Sequence, residues 1–333
     1  MMSRVWRARD GLVLAAAAIA VIATGLSGSS YWIYSLCLVG IYAIVAIGFN
    51  IALGLAGQVS FAQVAFMAVG GYGTGLLTTK AHASPWLALL ASVALGAVLA
   101  FGLNLPFLRL RGHYLGMATL ALALGVQSFA ENASGITGGA LGVFGVPSLT
   151  LGSLSLAVHS RFYVLVWLAC GLCLAIYQLT ARSHIGRAWR AVAARPDVSA
   201  SLGIDVPRAR LLALVLAGAM AALSGGLWAE FLNYVAPDYF GLVMIGNIFF
   251  MVIVGGMGSL AGPLVGAAFV VLVPQEMSSL GQWQGVVLLA VLLGVLVLWP
   301  TGLLGDPSAA GSITALFPSR LRPKAARAAE AEA

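Results

Sequence analysis

The chain has 333 residues, of which 61% are hydrophobic and only 8% charged, with a formal net charge of +7. So few charges cannot cover the surface of a soluble domain of this size, which excludes a soluble globular protein and points to one embedded in a bilayer. The long apolar runs call for an all-α polytopic bundle. Helices satisfy their own backbone in lipid, whereas the short alternating strands of a β-barrel are absent from this pattern.

A spanning helix needs about 20 largely apolar residues. Spans are expected near 11–29, 32–53, 59–79, 86–105, 114–131, 162–180 and 209–230. Two shorter segments follow near 242–255 and 263–275, then a last span near 283–300. The short pair flanks GGMGSLAGPLVG (residues 255–266) and reads either as two crossings or as a re-entrant hairpin, giving eight to ten helices. The first span has a basic start and a short core, so a signal-peptide reading is open too, but removing it would spoil the charge pattern described next.

Lys and Arg fall at Arg4, Arg7 and Arg9, at Arg109 and Arg111, from Arg182 to Arg210 and from Arg320 to Arg327, with Lys80 and Arg161 elsewhere. These clusters recur between apolar segments, as expected of cytoplasmic loops under the positive-inside rule, and they give no reason to invoke nucleic acid. Threading from inside places every cluster on one face and Lys80 and Arg161 on the other. Both termini are then cytoplasmic. The chain divides into a cytoplasmic segment 1–10, a transmembrane unit 11–300 with a long inner loop at about 181–208, and a cytoplasmic tail 301–333.

The stretch GLAGQVSFAQVAFMAVGGYGTGLL (residues 54–77) is apolar yet carries two glutamines, a serine and six glycines. Helical spacing puts Ser60, Gln63, Met67, Gly70, Gly71, Thr74 and Thr78 on one stripe. Two readings stand. The stripe is a close helix–helix contact, or it lines a path for a polar solute in which Gln58 also takes part. Gly258, Gly262 and Gly266 form a second ladder at four-residue spacing, read as helix contact. No Asp, Glu, Lys or Arg falls near a span centre, and Asn50, Asn104, Gln127 and Asn247 are neutral. A proton-driven carrier would normally keep a titratable group there, so energy for pumping is expected from elsewhere.

Cys37, Cys170 and Cys173 sit in apolar runs and read as packing residues; His82, His113, His159 and His184 are scattered. No metal or catalytic constellation emerges, which disfavours a lipid-embedded enzyme. The Gly-rich loop 132–160 reads as an outer connector or as a cover over the path.

The inner loop SHIGRAWRAVAARPDVSASLGIDVPRAR (residues 183–210) holds five arginines. A short helix is expected over 186–194, with Ile185, Ala188, Trp189 and Val192 on one face. Pro196 ends it and opens a second short helix that Gly203 terminates, and Asp205 caps the following span. Such helices either lie on anionic lipid or dock into a groove on a soluble partner with Trp189 as anchor.

The segments GLAGQVSFAQVAFMAVGGYG, RLRGHYLGMATLALA, ITGGALG, SHIGRAWRAVAARPDVSASLGID and MVIVGGMGSLAGPLVGA, spread in order from about residue 40 to 300, resemble the permease subunits of ATP-binding-cassette importers of the branched-chain amino acid type, of the LivM-like kind. The resemblance implies that the inner loop is the segment coupled to the ATPase and carries this over to Gly186, Arg187, Ala191 and Gly203; the loop's own chemistry adds Trp189 as an aromatic anchor and Arg190 as an outward charge. Ala193 and Ala194 depart from the family, where charged residues are common. It further implies a bacterial cytoplasmic-membrane location and a complex with a second, LivH-like permease, cytoplasmic ATPase subunits and an external solute-binding protein. This chain has no phosphate-binding loop, so it binds no cofactor itself and ATP is used by the partners. Relatives of this kind carry branched-chain amino acids, amides, urea or aromatic acids. The rival function is a self-sufficient facilitator with its path around Gln63.

Overall fold

The computed structural model describes residues 2–277, apart from 28, 111, 152, 153 and 156–158, together with 294 and 302–304. The chain is an all-α bundle: α1 (Met2–Ser27), α2 (Ser30–Asn50), α3 (Gln63–Thr79), α4 (Pro85–Phe107), α5 (His113–Asn132), a single turn α6 (Ser134–Thr137), α7 (His159–Arg182), α8 (His184–Ala194), α9 (Pro196–Ser201), α10 (Val206–Leu232), α11 (Leu242–Gly255) and α12 (Gly262–Glu276). Every span expected before residue 277 has its helix. The span near 283–300 and the tail from 305 lie outside the described residues.

α2 and α10 form the centre. In their most apolar windows 78% and 72% of residues are buried, against 28% in α4 and 33% in α7. The outer helices therefore show most of their surface to lipid, which costs nothing in hydrocarbon. The centre is joined by small residues rather than by interlocked large ones. A Cβ placed on Gly70 of α3 would meet the Ala222 backbone of α10, one on Gly225 would meet the Met67 backbone, and one on Gly96 of α4 would meet the Ala222 side chain. Close backbone approach gains dispersion contacts where lipid supplies no hydrophobic drive. Across the other face of α10, the Ser224 hydroxyl donates to the Ile41 carbonyl of α2 at 2.8 Å.

Two expectations need correction. α3 starts at Gln63, not near residue 59, because α2 runs on into a π-helix (Ile51–Leu55) and residues 56–62 form a turn. The helical ladder of Gly258, Gly262 and Gly266 is also only partly right. Gly262 and Gly266 face the α11 backbone near Gly255 and Met251, but Gly258 sits in the turn between α11 and α12 with φ at +74°. That left-handed angle favours glycine on its own account.

α11 and α12 have 14 and 15 residues. At 1.5 Å per residue each rises about 21–22 Å, short of the roughly 30 Å hydrocarbon core. They pack as a hairpin that starts at Gly241, beside the Gln127 side chain of α5, and turns next to Asn50 at the end of α2. The hairpin thus reaches from the far end of the bundle to just short of the arginine-rich end.

At the far end, Lys80 donates to the carbonyls of Gly135 and Ile136 at 3.0 and 2.8 Å, closing the last turn of α6. Val143–Phe144 pairs antiparallel with Tyr234–Val235, and Asn233 donates to Val146 O at 2.8 Å. These ties hold residues 139–146 of the Gly-rich connector against the far ends of α3, α5 and α10. Thr150–Leu151 pairs with Leu154–Ser155 as a separate small hairpin.

Candidate functional site

The polar stripe of residues 58–78 splits along its length. Its outer half is a packing seam: Gly70 and Gly71 approach the backbone of Ala222 and Gly225, and Thr74 lies against Gly226. Tyr72 and Thr74 there have buried hydroxyls without a hydrogen bond among the described residues, but the inner half faces α11 rather than α10. Ser60 and Gln63 are buried, at 0% and 2% exposure, and the Ser60 hydroxyl and both amide atoms of Gln63 make no hydrogen bond among the described residues. Ser60 precedes the helix, where the Phe61 amide donates to Thr119 Oγ1 of α5 at 3.0 Å and fixes the turn.

Ser60 and Gln63 open on a narrow cleft whose other walls are Phe49 of α2, Phe61, and Ile245, Ile248 and Phe249 of α11. The cavity it encloses is about 10 Å³, room for about one water at most and far below the roughly 300 Å³ at which small-molecule pockets usually begin. The cleft is therefore nearly shut. An unsatisfied amide in such a setting costs about 1–3 kcal/mol, so Gln63 is poised to gain from any polar group that reaches it. Gln58 plays a different part. Its amide donates to the Arg210 carbonyl at 3.1 Å and ties the turn to the base of α10.

The arginine-rich loop follows local rules closely. Ser183 caps α8 through its hydroxyl, which accepts from the Ile185 and Gly186 amides. Pro196 opens α9, Gly203 ends it with φ at +82°, and Asp205 accepts from the Arg208 amide to cap α10. Each device satisfies helix-end groups that a short helix cannot satisfy itself.

The direction of Trp189 overturns its reading as an exposed anchor. It is 2% exposed and donates its indole N–H to the Ala209 carbonyl at 2.7 Å, so it seats α8 on this chain's own α10. Gly186 is buried against the last turn of α7, where a Cβ would meet the Thr180 carbonyl, and Ala193 rests on Gly57. Arg187, Arg190 and Arg195 are exposed, as is Gly203, while Ala191 is half-buried. On α9 and its cap, Val198 and Leu202 are 49% and 76% exposed. The outward surface is thus basic on α8 and apolar on α9, and Val198 and Leu202 escaped sequence reasoning because their direction depends on how Pro196 turns the chain.

Free Cys37, Cys170 and Cys173 are buried packing residues. Among the described residues no group of His, Cys, Asp and Glu could hold a metal ion.

Comparison with known proteins gives this arrangement a family. The chain is 28% identical over 288 residues to a high-affinity branched-chain amino acid transport system permease protein, LivM, of Salmonella typhimurium, covering 79% of this chain and 68% of that one. It is 29% identical over 286 residues to LivH of the same organism, covering 80% and 92%. A probable LivH of Methanocaldococcus jannaschii is 30% identical over 234 residues, covering 67% and 72%. No solved structure matches the chain. The family described as the permease component of branched-chain amino acid transport systems matches residues 31–297, and the chain belongs to it.

Proposed function

We propose that this chain is the permease subunit of an ATP-driven importer and forms part of the path for branched-chain amino acids or a related small polar solute. The observation that carries the reading is the capped helix pair α8–α9. Its inner face is fixed to the bundle by Trp189 and Gly186, and its outer face offers Arg187, Arg190, Val198 and Leu202. A rigid, inwardly anchored element with a mixed basic and apolar outer face suits a partner that pushes on it. ATPase subunits in the cytoplasm supply the force, a second LivH-like permease completes the path, and an external binding protein delivers the solute. In this arrangement the chain lies in the bacterial cytoplasmic membrane, with residues 1–10 and 301–333 inside and 11–300 as the permease unit. The transport subunit itself performs no chemistry.

The solute meets Ser60 and Gln63, whose buried polar atoms are matched by apolar walls suited to an aliphatic body with polar ends. The same amide also serves the rival reading of a self-sufficient facilitator. Association separates the two. Leu202→Asp and Arg190→Glu should cut co-purification of the ATPase subunits at least tenfold while the chain still inserts and folds. Normal co-purification of both variants would count against a docking role for this face.

A further inference from the structure

Asn50 is fully buried at the end of α2, and its amide bonds to the turn between α11 and α12 and to Tyr177 of α7. Its Nδ2 donates to Ser259 O at 2.8 Å, and its Oδ1 accepts from the Gly258 amide at 2.8 Å. Tyr177 of α7 completes the arrangement, donating to Gly258 O at 3.0 Å and accepting from Asn50 Nδ2 at 3.3 Å. α2, α7 and the α11–α12 turn meet here through hydrogen bonds, and Asp10 of α1 adds another by accepting from the Leu260 amide at 3.3 Å. Buried amide networks of this type fix one relative position and resist sliding, because any shift leaves a polar group unpaired in a low-dielectric interior.

What lies on either side of this pin gives it a use. Towards the arginine-rich loop, α2 continues without a break into the π-helix Ile51–Leu55, and Gln58 N donates to Ala52 O at 2.8 Å. That segment ends on Gly57, against which Ala193 of α8 rests, and on Gln58, held by Arg210 O. The π-helix is a local change of winding at the C-terminal end of α2, where the helix gives way to the turn of residues 56–62. Towards the cleft, the turn belongs to a hairpin whose two helices touch backbone to backbone at Gly255–Gly262 and Met251–Gly266, so α11 and α12 move together. α11 carries Ile245 and Ile248, the wall that faces Ser60 and Gln63.

We propose that Asn50, with Tyr177, is a positioning residue that transmits displacement of the α8–α9 loop to the α11 wall of the cleft. This rests on the reading of that loop as the element an ATPase moves. Asn50 touches neither solute nor partner. It converts a push at Gly57 into movement of α11, and the rest of the bundle, joined at the Gly70–Ala222 seam, stays in place.

The assembled transporter carrying pairs of spin labels tests this directly, since Cys37, Cys170 and Cys173 are buried and leave introduced cysteines to be labelled alone. Labels go on Ala200→Cys of α9, away from the outward face of Val198 and Leu202, and on Val243→Cys of α11, each paired with Val98→Cys of α4, all exposed positions. With ATP and vanadate, both distances to Val98 should change in the otherwise wild-type complex by about 2 Å or more, the scale of helix shifts in switching proteins. In Asn50→Ala the Ala200 distance should still change and the Val243 change should fall by at least half, with ATP hydrolysis within twofold of wild type. Full retention of both changes, or loss of both in an assembled complex, overturns the pin. If Asn50→Ala does not assemble, Tyr177→Phe removes fewer bonds and must show the same selective loss in smaller measure; unchanged distances there overturn the proposal as well. A wild-type complex in which ATP moves neither label sinks the coupling reading itself, and the pin falls with it.

Discussion

Trp189 and Gln63 are both almost wholly buried, but the indole has the Ala209 carbonyl as partner and the amide has none among the described residues. That contrast predicts opposite responses to removal of the polar group. Trp189→Phe keeps most of the packing and loses one hydrogen bond, so it should destabilise the purified chain by about 1 kcal/mol, read as a lower thermal midpoint in detergent. Gln63→Leu removes two unsatisfied atoms at nearly constant volume. It should leave stability unchanged or raise it, while lowering solute uptake at least tenfold in the assembled transporter. A Gln63→Leu variant that is strongly destabilised would show that the amide has a structural partner. Asn50 was visible in the sequence only as a neutral residue in an apolar run. The signal that could have found its role was the polar amide followed four residues later by Gly54, where a Cβ would run into Asn50 Oδ1 and the Gly258 backbone.

At the scale of elements, the seam between α3 and α10 shows why a lipid-embedded helix accepts so many glycines. Gly70→Val should push α3 off the Ala222 carbonyl and cost about 2 kcal/mol or more, measurable as loss of folded chain during extraction. Gly102→Ala, where a Cβ meets nothing within 4 Å, should be silent. The loop helices were legible before the structure, and so were the spans, since hydropathy, Pro196, Gly203 and the Ser183 and Asp205 caps act within a few residues of themselves. The split of the polar stripe, the start of α3 at Gln63 and the inward turn of Trp189 were not. Each is decided by what stands opposite: α10 for Gly70, α11 for Gln63, the Ala209 carbonyl for Trp189. Helical periodicity tells which residues share a face and is silent on what that face meets.

For the whole molecule, a central pair α2–α10 is held by small-residue seams and hydrogen bonds, a hairpin is hung from it by Asn50, and a basic loop is seated at its base by Trp189. The cleft at Ser60 and Gln63 is nearly shut, so on the proposed path solute passage would require α11 to move relative to α3. The chain offers a surface on which force can act but no phosphate-binding loop to generate it. Uptake of tritiated leucine into proteoliposomes, with the permease chain alone and with the full set of partners, puts that account to the test most directly. Accumulation against a gradient should require ATP, the ATPase subunits and the binding protein together. Concentrative uptake by vesicles that hold this chain alone, without nucleotide, would contradict it.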